Sequence, residues 1–439
     1  MPSRRRLLLA TAAALPLGAC GWLGQDEGPP LPGVRKSVLM TTPGPVADVA
    51  AAGVSIDLPA PNAQPEWPQA FANLAHVTGR AAGTGTLSEA WSTSIGASAS
   101  SSYPLLGSLV AAQGRIFGVD SEGRVTALDG SSGKEIWSQH ISRLGDSDRV
   151  AGGAAAYDNG LLFVTYGNGW VVALDANDGK EVWRRQLNSP LRSAPTAAPG
   201  NVLVRTADNQ LYSLNPTTGE LRWRHAGAFE QAGILGGSPA AVLGTTVIVA
   251  YSSGEVFALL LDDGRELWTE TVLGGRSILA LDTITDITAA PVIADGTVYI
   301  AGGAGEMAAL MLDRGTRVWD NQISSLETPA LAGNVLYVIT EAGELVCLLR
   351  QSGAVRWVQH IATQAGLTKL PSNTSWTGPL LVGDSLIVAG SSGDVLSFSP
   401  NDGSFQQHYA GGTPIRQPPI VANGTVYVLD DKSRVTALR

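Results

Sequence analysis

The chain has 439 residues, a length that suggests about three domains unless the sequence repeats. Glycine (52) and proline (25) are frequent and only 15% of residues are charged, which indicates a turn-rich folded protein and excludes disorder for most of the length. The net charge of −9 excludes a basic nucleic-acid-binding surface, and two cysteines are too few for a disulfide framework.

Residues 1–19 have the pattern of an export signal peptide. Three arginines precede an apolar stretch of about a dozen residues, which is too short to cross a bilayer. The sequence Leu17-Gly18-Ala19-Cys20 resembles a bacterial lipobox, in which the cysteine is acylated and becomes the new amino terminus. We therefore predict that Cys20 is lipidated, although an ordinary cleavage site with a chance cysteine remains an alternative. The arginines fit either the general or the twin-arginine export route.

The position after the cysteine indicates where the lipoprotein resides. In bacterial lipoproteins an aspartate there tends to retain the protein at the inner membrane, and this chain has Gly21. We therefore expect a lipid-anchored protein on the periplasmic face of the outer membrane. Residues 20–84 are predicted to form a tether and lead-in, since prolines and small residues dominate the stretch up to Trp67.

Beyond residue 85 a unit of about 45 residues recurs. Each unit contains short runs of β-branched and aromatic residues bounded by Gly, Asn or Asp, as strands should be, and ends in the pattern Gly-x-x-x-Trp. An eighth unit has Gln407 in the tryptophan position. The seven tryptophans that mark the repeat are Trp91, Trp137, Trp183, Trp223, Trp268, Trp319 and Trp357.

Four short strands in each of eight repeats predict an all-β fold, an eight-bladed β-propeller of four-stranded blades over residues 85–439. The last unit has only three strands, whereas Trp91 stands on a lone strand before the first complete unit. We therefore predict that the N-terminal strand completes the last blade, so that neither end leaves an unpaired edge.

The tryptophans are predicted to be structural. In Ala173-x-Asp175-x-x-x-Gly179-Lys180-Glu181-x-Trp183 the aspartate begins a turn and the glycine suits a positive φ. The hairpin then places the indole at a fixed register, where it can fill the space between blades and donate its N–H to a backbone carbonyl.

This repeated phrase resembles the tryptophan-docking motif of the pyrroloquinoline-quinone propellers, a superfamily that contains dehydrogenases and a non-enzymatic branch. Three further segments resemble the second branch, the BamB family of outer-membrane assembly lipoproteins. They are Leu31-Pro32-Gly33-Val34-Arg35, Trp67-Pro68-Gln69-Ala70 and Thr425-Val426-Tyr427-Val428-Leu429-Asp430-Asp431. With the lipobox and the length, the resemblance spans nearly the whole chain.

The parts that an enzyme of this superfamily would need are not evident in the sequence. Quinone dehydrogenases of this fold generally carry adjacent cysteines over the cofactor and a calcium site beside a catalytic aspartate. Here Cys347 occupies a position where other repeats have Ala or Ser, and the five histidines do not cluster, since four lie in different repeats and His76 precedes the repeats. We therefore predict no catalytic residues, no cofactor and no metal site.

The resemblance implies a scaffold that helps fold and insert β-barrel proteins into the outer membrane. Its implied partner is the barrel-forming core subunit BamA, through that protein's periplasmic POTRA domains. Other lipoproteins of the assembly complex are further candidate partners. Two alternatives remain: a periplasmic propeller that binds a quinone or another small molecule, and an envelope propeller with a different partner.

Two long connectors in consecutive repeats, 223–239 and 268–291, are the predicted partner-binding surface, because long loops on one face of a propeller are usually functional. By local match to the BamB family, Leu235 and Asp286 take the positions of an apolar and an acidic contact. Local packing of Leu235 and a solvated turn at Asp286 remain the alternative. The candidate residues are Ile234, Leu235, Arg276, Asp282 and Asp286. If this surface is wrong, the next candidate is the connector 357–379, in which Trp376 looks exposed.

Overall fold

The computed structural model describes residues 44–141, 152–191, 193–229, 237–272, 287–303, 305–371 and 373–439. Residues 44–439 form one compact unit. The signal peptide, the lipidation site at Cys20 and the first part of the tether lie outside the described residues.

The described residues form eight antiparallel sheets of four strands each, which confirms the predicted eight-bladed propeller. The strands of blades 1 to 4 are β2 (Val110–Ala112), β3 (Arg115–Val119), β4 (Arg124–Asp129), β5 (Glu135–His140); β6 (Gly153–Asp158), β7 (Leu161–Tyr166), β8 (Trp170–Asp175), β9 (Glu181–Gln186); β10 (Thr196–Ala198), β11 (Asn201–Arg205), β12 (Gln210–Leu214), β13 (Leu221–Ala226); β14 (Ala241–Leu243), β15 (Thr246–Ala250), β16 (Glu255–Leu260), β17 (Glu266–Thr271).

Blades 5 to 8 repeat the same order of strands. They are β18 (Val292–Ala294), β19 (Thr297–Ala301), β20 (Met307–Met311), β21 (Arg317–Asn321); β22 (Ala330–Ala332), β23 (Val335–Ile339), β24 (Glu344–Leu349), β25 (Val355–His360); β26 (Trp376–Val382), β27 (Ser385–Gly390), β28 (Asp394–Phe398), β29 (Phe405–Ala410); β30 (Ile420–Ala422), β31 (Thr425–Leu429) and β32 (Arg434–Leu438).

The fourth strand of blade 8 comes from the N-terminal part of the propeller. Strand β1 (Glu89–Ser94) pairs antiparallel with β32, and Trp91 lies opposite Ala437 in the register. The first and last strands of the propeller therefore share one sheet, which joins the two ends of the repeat by a ladder of backbone hydrogen bonds.

Burial shows how each blade is oriented. The first strands are short and mostly fully buried, and first strands of neighbouring blades contact one another, as β2 does with β6 and β14 with β18. The fourth strands alternate between exposed and partly buried residues. The first strand of each blade is therefore innermost and the fourth is outermost, with the apolar core between neighbouring sheets.

The segment before the propeller is more ordered than its composition predicts. Helix α1 (Val49–Ala52) is capped by the Asp48 side chain, and the backbone N–H of Asp48 donates to Val355 O in blade 6 at 2.8 Å. Trp67 is buried to 2% exposure. From residue 44 onward the predicted tether therefore packs against the blades, because its backbone groups pair with the blades rather than with water.

The other helix of the described residues, α2 (Ile361–Gln364), follows blade 6. Within the described residues no helix is long and apolar enough to span a bilayer.

Candidate functional site

The five residues of the predicted partner surface, Ile234, Leu235, Arg276, Asp282 and Asp286, all lie outside the described residues. The structure does describe both ends of the two connectors that carry them. These ends show what positions the connectors on blades 3 and 4.

The first connector leaves blade 3 at Ala228, which is held by two side chains. Its carbonyl accepts from Asn209 Nδ2 at 2.7 Å, and its N–H donates to Glu255 Oε2 in blade 4 at 2.7 Å. Asn209 Oδ1 also accepts from Ser252 N at 3.2 Å and Ser252 Oγ at 2.8 Å in blade 4. The root of this connector is therefore fixed to both blades.

A second contact between the same blades lies just below this root. His225 stacks on Tyr251 and lies edge-on to Phe257, and its Nε2 lies 2.9 Å from Glu266 Oε1. The Tyr251 hydroxyl lies 2.9 Å from His225 Nδ1, and burial raises the pKa of Tyr251 well above its usual value, so the phenol stays neutral. Hydrogen bonds and aromatic packing therefore couple the sheets of blades 3 and 4.

The second connector begins and ends on fixed residues of blades 4 and 5. Val272 N donates to Gly254 O at 2.9 Å, and Ile287 is fully buried. Thr288 Oγ1 donates to Leu326 O in blade 6 at 3.1 Å. The first connector is thus rooted in blades 3 and 4 and the second in blades 4, 5 and 6, so that blade 4 is common to both.

One exposed aromatic residue at this surface was not among the sequence candidates. Phe229 follows Ala228 directly and is 69% exposed, which makes it the most exposed aromatic side chain among the large apolar residues of the described chain. Aromatic residues, including Phe, are enriched in the cores of protein–protein interfaces. The signal available in the sequence was an aromatic residue at the start of a long connector, outside the repeat pattern.

The repeat tryptophans lie on the outermost strands, and each faces the docking turn of the next blade. A Cβ on Gly179 would lie 2.6 Å from the Trp137 ring, so only glycine fits under the indole. The indole N–H groups of six tryptophans donate to carbonyls of the following blade: Trp91 to Gly130 (3.3 Å), Trp137 to Ala176 (3.0 Å), Trp183 to Pro216 (2.8 Å), Trp223 to Leu261 (2.8 Å), Trp268 to Leu312 (2.8 Å) and Trp319 to Arg350 (2.9 Å).

The last two positions of the series differ. Trp357 packs over Gly403 of blade 7, but its Nε1 has no hydrogen-bond partner among the described residues. Gln407 replaces the indole in blade 7, and its Oε1 accepts from Leu87 N at 3.2 Å. The side-chain amide therefore ties blade 7 to the segment that enters β1.

Two other sequence candidates are buried. Trp376 looks exposed in the sequence, within the connector 357–379, but the structure places it at 6% exposure on β26 against Gly343 and Gly390. That expectation was wrong, because Trp376 belongs to the first strand of blade 7 and not to a loop. Cys347 is fully buried, and burial raises the pKa of its thiol to about 12, so it is not a reactive thiolate.

The histidines remain apart, and no cluster of three or more His, Cys, Asp or Glu side chains with metal-site geometry occurs within the described part of the chain. His76, in the lead-in, is fully buried with its Nδ1 2.8 Å from Pro291 O, and burial lowers its pKa to about 4. It is a neutral hydrogen-bond donor rather than a candidate ligand.

A sequence model of the family described as outer membrane protein assembly factor BamB matches residues 75–154 and 121–359. The BamB of Alkalilimnicola ehrlichii is 31% identical over 209 residues, which cover 47% of this chain and 52% of that protein. The BamB of Moranella endobia is 26% identical over 211 residues, which cover 48% of this chain and 52% of that protein. The chain thus matches about half the length of these curated relatives.

Solved structures share the fold. The crystal structure of BamB from Moraxella catarrhalis superposes with a TM-score of 0.69 at 19% identity, covering 80% of this chain and 99% of that chain. A europium-containing methanol dehydrogenase superposes with a TM-score of 0.68 at 15% identity, covering 83% and 89%. At these identities the superpositions establish the architecture alone, which both assembly factors and dehydrogenases use.

Proposed function

Since the chain belongs to the BamB family of outer membrane protein assembly factors, we propose that it is a lipid-anchored scaffold of the β-barrel assembly machinery. In this role it binds a BamA-like core subunit through that subunit's POTRA domains and helps to fold and insert outer-membrane proteins. The lipid on Cys20 holds it at the periplasmic face of the outer membrane. The family resemblance found in the sequence is thereby confirmed, and the partner and the anchor are our proposals.

The observation that carries the proposed partner surface is the shared root of the two long connectors. Asn209, His225 and Glu255 tie blades 3 and 4 together where the connectors begin. Such fixed attachment favours binding, because a loop with fixed ends loses less conformational entropy when it binds a partner than a loop with mobile ends.

The residues on these connectors suit a small interface. Leu235 and Phe229 would supply the apolar centre, and Asp282 and Asp286 would supply negative charge at its rim. Apolar anchors contribute most of the binding free energy at such sites, whereas rim charges mainly steer association. We therefore propose a basic and apolar patch as the complementary surface of the partner.

We favour a non-enzymatic role because the two cysteines of the chain, Cys20 and Cys347, are far apart in sequence and cannot form the vicinal pair seen in the quinone enzymes. The alternative, a propeller that binds a quinone or another small molecule, shares the architecture of the dehydrogenase neighbours. Stoichiometric binding of pyrroloquinoline quinone to the purified protein would favour that alternative.

The deciding experiment is site-specific photocrosslinking in cells, followed by purification from detergent-solubilised envelopes. A photoreactive amino acid at Phe229 or Leu235 should crosslink to the core barrel subunit. The matched control is the same group at Val182, which is 50% exposed on the outer strand of blade 2. Equal crosslinking from Val182, or capture of no barrel subunit, would contradict the proposed surface.

A further inference from the structure

The inner strands of the propeller surround an axial space, and the lead-in closes one end of it. Trp67 exchanges backbone hydrogen bonds with Ala111 of β2 at 2.7 and 2.9 Å, and Tyr157 N of β6 donates to Pro68 O at 2.8 Å. Gln69 Oε1 accepts from Ala197 N of β10 at 3.1 Å. Three consecutive lead-in residues thus bind the inner strands of blades 1, 2 and 3.

The lead-in continues around the same end of the axis. Further backbone bonds to the blades are Val242 N to Leu74 O (2.6 Å), Ile293 N to Ala75 O (2.9 Å), Ala81 N to Leu381 O (3.0 Å) and Asn423 N to Gln64 O (2.8 Å). All these contacts lie at or just past the carboxyl ends of inner strands, so the segment seals that end.

At the opposite end of the inner strands lies a cavity of about 360 Å³, which the described residues do not enclose completely. Its walls are the residues just before the inner strands of blades 1, 3, 4, 5, 6 and 8, and Ala70 and Phe71 of the lead-in also line it. We call this cavity the lumen. It is a pocket on the propeller axis with the lead-in at its inner end.

Among the described residues, Glu327 is the acidic residue that lines the lumen. Its Oε2 accepts hydrogen bonds from Thr377 Oγ1 at 2.7 Å and Gly378 N at 3.2 Å, both in blade 7. The interior position raises the pKa of this carboxyl to about 7, so a large fraction is ionised at neutral pH. Arg416 also lines the lumen, but its Nε lies 3.0 Å from Asp431 Oδ2. Among the described residues, Glu327 has no cationic partner.

Ser193, in blade 3, is a second polar residue that lines the lumen, and it is 4% exposed. Its Oγ has no hydrogen-bond partner among the described residues. A buried hydroxyl without a partner is costly, and in native structures such a group calls for a specific explanation. Around these two groups the lining combines apolar residues, such as Leu105 and Leu326, with polar ones, such as Thr328 and Gln417.

We propose that the lumen binds an alkylammonium group, with Glu327 as the counter-charge and Ser193 as a further hydrogen-bond acceptor. An ammonium carries three donors, so in this proposal it pairs with the carboxylate and the hydroxyl while a short alkyl chain packs against the apolar residues of the wall. Gly237 and Thr288, at the ends of the two long connectors, also line the lumen, but the inference does not depend on the proposed function.

Two sources could supply this group: a free small amine, or a lysine side chain of a partner protein. The test uses n-butylammonium as the probe and n-butanol, which lacks the charge, as its matched control, with the full folded chain observed by NMR or calorimetry. We expect saturable binding of n-butylammonium and at least tenfold weaker binding of n-butanol. Equal binding of the two, or none of the amine, would overturn the proposal.

Variants locate the site. Glu327→Gln keeps an acceptor for Thr377 and Gly378 but removes the charge, and we expect it to weaken n-butylammonium binding at least tenfold. Ser193→Ala should weaken it severalfold. Glu341→Gln, at an exposed glutamate in blade 6, is the control and should leave binding unchanged. Unchanged binding in both Glu327→Gln and Ser193→Ala would refute the assignment even if one of them is unstable.

A short peptide with one internal lysine distinguishes the two sources. If the peptide binds wild-type protein at least as tightly as n-butylammonium and loses affinity in Glu327→Gln, the site accepts a protein side chain. If only the free amine binds, the lumen serves a small molecule. Both results support the site and differ only in the origin of the ammonium group.

Discussion

Asn209 in blade 3 accepts two hydrogen bonds from Ser252 in blade 4, one from the backbone N–H and one from the hydroxyl. Asn209 is 1% exposed and adopts a positive φ of 57°, a conformation that asparagine tolerates better than most residues. Its side chain therefore joins two blades from a backbone position that few other residues could occupy. This contact determines where the connector after Ala228 leaves the propeller.

Asn209→Gly should destabilise the protein, because it removes the hydrogen bonds of Asn209 to Ala228 O and to Ser252 while keeping the backbone relaxed. We expect a loss of about 2–3 kcal/mol in the free energy of unfolding, measured by urea denaturation. Asn159→Gly is the matched control: Asn159 also has a positive φ, of 47°, but is exposed. It should change stability by less than about 0.5 kcal/mol. Similar losses in both variants would contradict the role of Asn209.

Two turn glycines, Gly219 and Gly244, allow a second test, because only one of them lies against an indole. A Cβ on Gly219 would lie 2.5 Å from Cε3 of Trp183, whereas a Cβ on Gly244 would meet nothing within 4 Å, although both glycines have positive φ. Gly244→Ala should cost about 1–2 kcal/mol from the backbone alone. Gly219→Ala should cost about 1–3 kcal/mol more, because the indole must move. Thermal or urea unfolding measures both, and equal losses would show that the indole is not confined.

The repeat made the propeller predictable from the sequence. Gly179 precedes Trp183 by four residues in the sequence but packs under Trp137 of the preceding blade. This constant spacing can place each indole against the next blade only if the blades repeat. The lone strand with Trp91 similarly indicated its pairing partner, since blade 8 lacked a strand.

The lead-in was not predictable in the same way. Gln64, Trp67 and Ala75 bind inner strands through backbone groups, and backbone hydrogen bonds leave no pattern in the side chains. Glu327 was equally hidden, because its position inside the propeller depends on the arrangement of six blades around an axis and not on any local motif. The candidate residues on the connectors came from family resemblance and remain predictions.

Two titratable groups in the interior, Glu327 and His76, have opposite effects on how stability changes with pH. The pKa of Glu327 is raised from 4.5 to about 7, so the folded state binds its proton more tightly and stability falls as pH rises from 4.5 to 7. The pKa of His76 is lowered from 6.5 to about 4, so the folded state excludes the proton and stability falls as pH drops from 6.5 to 4. In the shared range the two effects offset each other.

Replacing either group should therefore reveal the effect of the other on the pH dependence of stability. Between pH 7.5 and pH 5, we expect Glu327→Gln to lose about 2 kcal/mol more stability than wild type, and His76→Asn to lose about 2 kcal/mol less. Asparagine is chosen at position 76 because His76 has a positive φ of 58°. Urea denaturation at the two pH values measures the difference, and parallel pH profiles for all three proteins would contradict both assignments.

Cys20→Ser tests the proposed lipid anchor. Since several acyl chains hold a protein at a membrane far more durably than one, loss of the acylated cysteine should move most of the protein from the membrane fraction to the soluble periplasmic fraction. Cys347→Ser is the control, because Cys347 is buried inside blade 6 and its replacement cannot affect lipidation. Fractionation with immunodetection measures the distribution. Unchanged membrane association of Cys20→Ser would exclude this residue as the anchor.

The partner surface is tested by the double variant Leu235→Ala with Asp286→Arg, which removes the proposed apolar contact and reverses the charge at the rim. We expect co-purification of the barrel subunit to be lost while the melting temperature stays unchanged, since a buried hot spot and its flanking charge together control binding. The matched control is Val182→Ala with Asp178→Arg, at exposed positions on blade 2, and it should co-purify normally. If the connector variant still co-purifies, or if it unfolds, these two residues cannot be the contact, and the interface must lie on another part of the propeller surface.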